Sequence, residues 1–141
     1  MEIQQILEEA LKRGASDVHL MVGTYPTLRI NGELVPIAKT NDPTPEYIEK
    51  LVFGLTTAEQ KELLLTNKEI DFSFALGDLA RFRINAFYQK GYISAALRLI
   101  PAKIPALAEL HLPKVFSNFS KLRQGLILVT GPTGHGKSTT I

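Results

Sequence analysis

Residues 69–100 read EIDFSFALGDLARFRINAFYQKGYISAALRLI, and apolar and polar side chains alternate through three successive segments of the stretch. Alternation of that kind marks strands with one face in a core and one in water, so the stretch predicts an antiparallel sheet. A two-residue hairpin at Lys90-Gly91 sets Gln89 against Tyr92 and fixes the register outwards from that pair. Phe82 then meets Leu99, Ile84 meets Leu97, Ala86 meets Ala95 and Tyr88 meets Ile93, all apolar on one face. On the opposite face Arg83 falls directly across from Arg98, with Arg81 two residues away on the same side. A slip of one residue would set Phe82 against Arg98 and mix the faces. A three-residue loop at Gly77-Asp78-Leu79 brings the first segment into the same sheet, matching Phe74 with Phe82 and Phe72 with Ile84. Asp71 then lies diagonal to Arg83.

Like charges directly opposed on a sheet cost a few tenths of a kcal/mol up to about 1. Two readings account for the arginines. In one, Asp71 neutralises the first arginine, solvent screens the second, and the face is simply hydrated. In the other, three guanidiniums on one face receive an anion, for which their planar donor forks suit phosphate oxygens.

Upstream of the sheet, Ile3, Ile6, Leu7, Ala10 and Leu11 recur at helical spacing and Gly14 follows as a stop, so the chain opens on an amphipathic helix. In SDVHLMV, Val18, Leu20 and Val22 alternate with Asp17, His19 and Met21, as in a half-buried strand. TLRINGELVPI carries Asn31-Gly32 between two apolar stretches, a strong hairpin signal. Two helices come next. Thr44-Pro45-Glu46 supplies a cap, a proline at the first helical position and an early acid, and Thr57 with Gln60 forms a capping box. After Ile100, Pro101, Pro105 and Pro113 remove donors from any ladder and predict an extended connector. A helix is expected from Pro113 to Arg123, ended by Gly125. GLILVTG, residues 125–131, is a continuous apolar run suited to a strand buried on both faces of a parallel sheet.

Composition narrows the function classes. A formal net charge of +2 on 141 residues gives no polyelectrolyte surface, which excludes generic nucleic-acid binding. With no cysteine there is no disulfide framework and no thiolate metal site, in keeping with a reducing compartment. His19, His111 and His135 lack the spacing of metal ligands. The N-terminus, MEIQQILEEALKR, carries acids unsuited to a signal or transit peptide, and no apolar run reaches membrane-spanning length. These features predict a cytoplasmic chain without direct membrane insertion.

The chain ends on LILVTGPTGHGKSTTI, in which residues 131–138 fit Gly-x-x-x-x-Gly-Lys-[Ser/Thr]. Glycines at 131, 134 and 136 let the backbone turn successive N–H groups inward as an anion cradle. Lys137 reaches the outer phosphates as a point charge, and the Ser138 hydroxyl is the magnesium ligand of such loops. A chance match in a chain this long is on the order of one in a few hundred. Its position directly after an apolar strand pattern is the setting a phosphate loop requires. The candidate nucleotide-binding residues are Gly131, Pro132, Thr133, Gly134, His135, Gly136, Lys137, Ser138 and Thr139, with ATP and Mg2+ as the cofactors. His135 occupies a variable loop position and is expected to be a solvent-exposed side chain.

GASDVHL, DFSFAL, ARFRINAFYQKGYISAALRLIP, LHLPKVF and GLILVTGPTGHGKSTT, in that order, resemble segments of the type IV pilus retraction (twitching motility) ATPases, the PilT-like branch of the secretion ATPase superfamily. The last two would also suit relatives in pilus extension and type II secretion. The resemblance spans nearly all of the chain and implies an α+β protein in three parts. These are a PAS-like domain at 1–99, a connector at 100–112, and at 113–141 the first helix, strand and P-loop of a RecA-like ATPase domain, truncated after that loop. It implies a homo-hexameric motor acting on the pilus base and inner-membrane platform protein, from the cytoplasmic side of the inner membrane. Arginines of the N-terminal domain reach the phosphates in that family, and by position Arg81, Arg83 and Arg98 resemble them, which favours the anion receiver over the hydrated face. The family's catalytic acids lie beyond Ile141, so these residues alone are expected not to hydrolyse ATP. The alternatives are a non-catalytic sensor or docking module, or the equivalent part of a pilus-extension or type II secretion ATPase. The apolar 125–131 strand is a further candidate for pairing between chains.

Overall fold

The computed structural model describes residues 1–37, 41–101, 107, 109–110, 112–119, 121–131 and 136–140. It divides into two units, Met1–Ala102 and Lys103–Ile141. The first unit is α+β. Helix α1 (Ile3–Lys12) starts from a capping box between Glu2 and Gln5 and buries Ile3, Ile6, Leu7 and Ala10 as one stripe. Strands β1 (Asp17–Met21), β2 (Thr24–Ile30) and β3 (Glu33–Pro36) follow. The β2–β3 turn has Asn31 at φ +51° and Gly32 at φ +88°, the left-handed pair that matches strand twist, and it sets Ile30 against Glu33.

Helices α2 (Pro45–Phe53) and α3 (Ala58–Asn67) begin where the caps were expected. The Thr44 hydroxyl accepts from the Tyr47 N–H, and Thr57 and Gln60 exchange side-chain and backbone bonds. Strands β4 (Glu69–Leu76), β5 (Ala80–Gln89) and β6 (Tyr92–Pro101) complete an antiparallel sheet ordered β3-β2-β1-β6-β5-β4. The pairs read from the alternation are the ones formed: Phe82 with Leu99, Ile84 with Leu97, Arg83 with Arg98, Phe72 with Ile84 and Phe74 with Phe82.

One face of this sheet carries Val18, Leu20, Leu28, Phe82, Ile84, Ala86, Ala95 and Leu97, which join Ile6 and Leu7 of α1 and Ile48, Leu51 and Val52 of α2 in a single core. Helix α2 lies against β6 and β1, α1 against β1, and α3 against β4. Each fully buried Leu, Ile or Phe contributes roughly 1.5–3 kcal/mol relative to exposure. The core therefore fixes the register and leaves the other face to polar side chains.

In the second unit two expectations need correction. The helix expected from Pro113 to Arg123 is a single turn among the described residues, α4 (Phe116–Phe119). Phe, Ser and Asn are indifferent helix formers, and a short helix without a surface to pack on does not propagate. The strand expected at 125–131 has no ladder partner among the described residues, and Leu126 and Leu128 are 82% and 74% exposed. An apolar run becomes a buried strand only when neighbouring strands satisfy both of its edges. The last element is α5 (Lys137–Thr140).

Candidate functional site

The sheet face turned away from the helices is built of rows that cross the strands. One row holds Ser73, Arg83, Arg98, Asp17 and Arg29 on β4, β5, β6, β1 and β2, and the next holds Asp71, Asn85, Ala96, His19 and Thr27. Arg81 stands one step further out on β5, between Ala75 and Ile100. All three arginines expected at the site thus share one face.

Carboxylates offset the opposed charges. Arg83 donates through Nε and Nη2 to the two oxygens of Asp71, at 3.3 and 3.1 Å. These bonds, together with the aspartate's charge, hold the Arg83 guanidinium more firmly protonated than usual. Arg98 Nε donates to Asp17 Oδ1 at 3.2 Å. Asp17 Oδ2 accepts from the Ser16 hydroxyl at 2.9 Å and lies 3.5 Å from Arg29 Nε, so one carboxylate serves two arginines. Arg81 has no ion pair among the described residues. The side chain of Asp17 is only 16% exposed, whereas Arg83 and Arg98 are 68% and 75% exposed. Asp17 is thus sheltered, Asp71 is half exposed, and both guanidiniums are presented to solvent. Between them lies a shallow cavity of about 180 Å³ lined by Asp17, Asp71, Arg83, Asn85, Ala96 and Arg98.

Asp17 and Arg29 escaped the sequence reading. The alternation of SDVHLMV does assign Asp17 and His19 to the polar side, but adjacency of β1 to β6 is a pairing between distant segments that no local pattern records.

His19 neighbours Asp17 on this face. Its ring is partly exposed, but Nε2 is buried with no hydrogen-bond partner among the described residues. Burial pushes the imidazole pKa below its ordinary 6.5, the Arg29 charge adds to that, and Asp17 opposes both. Folded protein therefore keeps His19 neutral where the unfolded chain, titrating near 6.5, already binds a proton. This contribution to stability is full above 6.5 and is lost as pH falls below it, until the folded form also takes up the proton. The urea midpoint should be lower at about pH 5.5 than at about pH 7.5, and His19→Gln should shrink the difference. Equal pH profiles for the two proteins would contradict this.

Of the phosphate-loop residues, Pro132, Thr133, Gly134 and His135 lie outside the described residues, as do residues 102–106, 108 and 111 of the connector. Gly131 has φ +153° and Gly136 φ +77°, conformations open to glycine, and α5 starts directly afterwards at Lys137. The Thr139 and Thr140 N–H groups both donate to the Gly136 carbonyl, at 3.1 and 3.0 Å, which closes the first turn. Ser138 falls within that turn. Among the described residues no three His, Asp or Glu side chains come together to hold a metal ion. No helix among them is long and apolar enough to cross a membrane.

Comparison with known proteins finds the family model described as "Type II/IV secretion system protein" matching residues 1–141. The type IV pilus retractation ATPase PilT of Pseudomonas aeruginosa is 39% identical over all of this chain, which covers 41% of that protein. The type IV pilus ATPase PilU of the same organism is 33% identical, with 100% of this chain and 37% of PilU covered. A crystal structure of the pilus retraction motor PilT with bound ADP superposes with a TM-score of 0.79 at 43% identity, over 99% of this chain and 41% of that one. The chain thus spans about two fifths of the length of these relatives.

Proposed function

We propose, because this chain belongs to the type II/IV secretion system protein family, that it supplies the N-terminal portion of a hexameric ATPase that retracts type IV pili. The observation that carries the reading is the pairing of a phosphate-loop pattern at Gly131–Ser138 with a sheet face on which Arg83 and Arg98 are directly opposed. On this reading residues 1–99 form the PAS-like domain, 100–112 the connector, and 113–141 the start of the RecA-like ATPase domain.

On this reading the phosphate-loop pattern binds ATP, and Lys137 holds the outer phosphates by charge. Arg81, Arg83 and Arg98 are phosphate-sensing contacts of the full-length motor, their guanidinium forks suited to phosphate oxygens. Magnesium fits the loop in part. Ser138 offers a hard hydroxyl oxygen within the first turn of α5, and the nucleotide's own oxygens would supply further donors. When bound, the ion neutralises charge that develops between the outer phosphates. The protein acts in the cytoplasm at the inner face of the inner membrane, on the platform protein at the pilus base.

The identities to PilT and PilU, both named for the type IV pilus, support this reading. The test is the full-length protein in solution. It should form a six-subunit particle that hydrolyses ATP steadily, whereas the 141-residue chain should release no phosphate. A monomer that binds no nucleotide would overturn the proposal. Steady turnover by the short chain would overturn its claim of incompetence. Retraction of pili in cells expressing the protein as their sole motor separates it from an extension ATPase.

A further inference from the structure

The two opposed arginines are drawn apart. Arg83, on β5, is held sideways towards β4 by Asp71, and Arg98, on β6, towards β1 by Asp17. Where a bulky residue on β6 would fill the space below them, the chain has Ala96, and the cavity of about 180 Å³ opens at that point. We propose that Asp17 and Asp71 are positioning residues that keep Arg98 and Arg83 apart, so that an oxyanion enters over Ala96 by displacing carboxylates from both guanidiniums. This rests on the reading of the arginines as phosphate contacts and assigns that contact its regulation.

The chemistry follows from the donor inventory. A guanidinium forks equally well onto a carboxylate or a phosphate, so each aspartate is a competitor built into the site. Four arginines, at 29, 81, 83 and 98, share the face with three acids, Asp17, Asp71 and Glu69, the last of which accepts from Asn85, and still leave net positive charge to attract the anion. Asp71 is 50% exposed, while Asp17 is anchored by the Ser16 hydroxyl and by Arg29, so Asp71 is the weaker of two restraints that a single anion displaces together. Such an arrangement answers to a multivalent phosphate and ignores weakly binding anions.

The experiment uses the 141-residue chain carrying Lys137→Ala, which silences the phosphate loop, and titrates it with inorganic tripolyphosphate at low salt. The Nε–H resonances of the arginines report the binding. Those of Arg83 and Arg98 should move with one midpoint, and Asp71→Asn and Asp17→Asn should each tighten that midpoint by about twofold to fivefold. Ala96→Leu should abolish the joint movement while leaving the thermal melt and the Arg83–Asp71 resonances native. Asp71, being half exposed, tests the idea even if Asp17→Asn proves unstable. An unchanged or weaker midpoint in Asp71→Asn, or native binding in Ala96→Leu, overturns the proposal while leaving the phosphate contact standing. Failure of tripolyphosphate to move either arginine resonance overturns both.

Discussion

Lys137→Ala in the full-length protein is expected to lower ATP turnover by about 100- to 1,000-fold, the scale of losing one preorganised charge or donor at a reacting phosphate. The lysine stands at the start of α5, immediately after Gly136 at φ +77°. On the proposed reading its substitution removes a point charge from the outer phosphates. Nucleotide binding should therefore weaken while the melting temperature of the unliganded protein stays unchanged. Steady-state phosphate release alongside a thermal melt checks both halves, and native turnover in the variant would remove Lys137 from the site.

Phe82→Ala is expected to destabilise the first unit by about 3–5 kcal/mol, the usual cost of deleting a large side chain from a packed core. Phe82 is fully buried, pairs with Phe74 on one side and Leu99 on the other, and belongs to the core that α1 and α2 cover. The loss should exceed that from truncating Leu79, which is 63% exposed in the β4–β5 loop. Because Arg81 and Arg83 flank Phe82 on the opposite face, loosening this strand also misplaces the arginines. Urea unfolding of the 141-residue chain gives the free energy. A change below about 1 kcal/mol would mean that the β5 register does not organise the core.

The first unit was legible in the sequence because each of its signals is local. Lys90-Gly91 and Asn31-Gly32 dictate turns of one hand, Thr44-Pro45 and Thr57 dictate helix starts, and the alternation around Phe82 and Arg83 dictates which face is wet. The order of strands was not legible. Placing β1 beside β6 joins Asp17 to Arg98, a contact eighty-one residues long that depends on the whole core closing. The second unit failed for a related reason. The apolar run at 125–131 states that it is to be buried but not by what, and within the described residues nothing pairs with it. Of the candidate site, the shared face of the arginines was legible by register and their carboxylate anchors only once the sheet was assembled, while the phosphate-loop pattern is a matter of spacing alone.

In the proposed motor the phosphate-loop residues and the arginines act on one nucleotide. The most direct measurement is a double-mutant cycle on kcat/KM for ATP in the full-length protein, combining Lys137→Ala with Arg83→Ala. Groups that act together on one transition state give losses far short of additive. Arg83→Ala should slow the native enzyme severely and the Lys137→Ala enzyme much less. An Arg83→Ala protein with native kcat/KM, or losses that add in full, would contradict it.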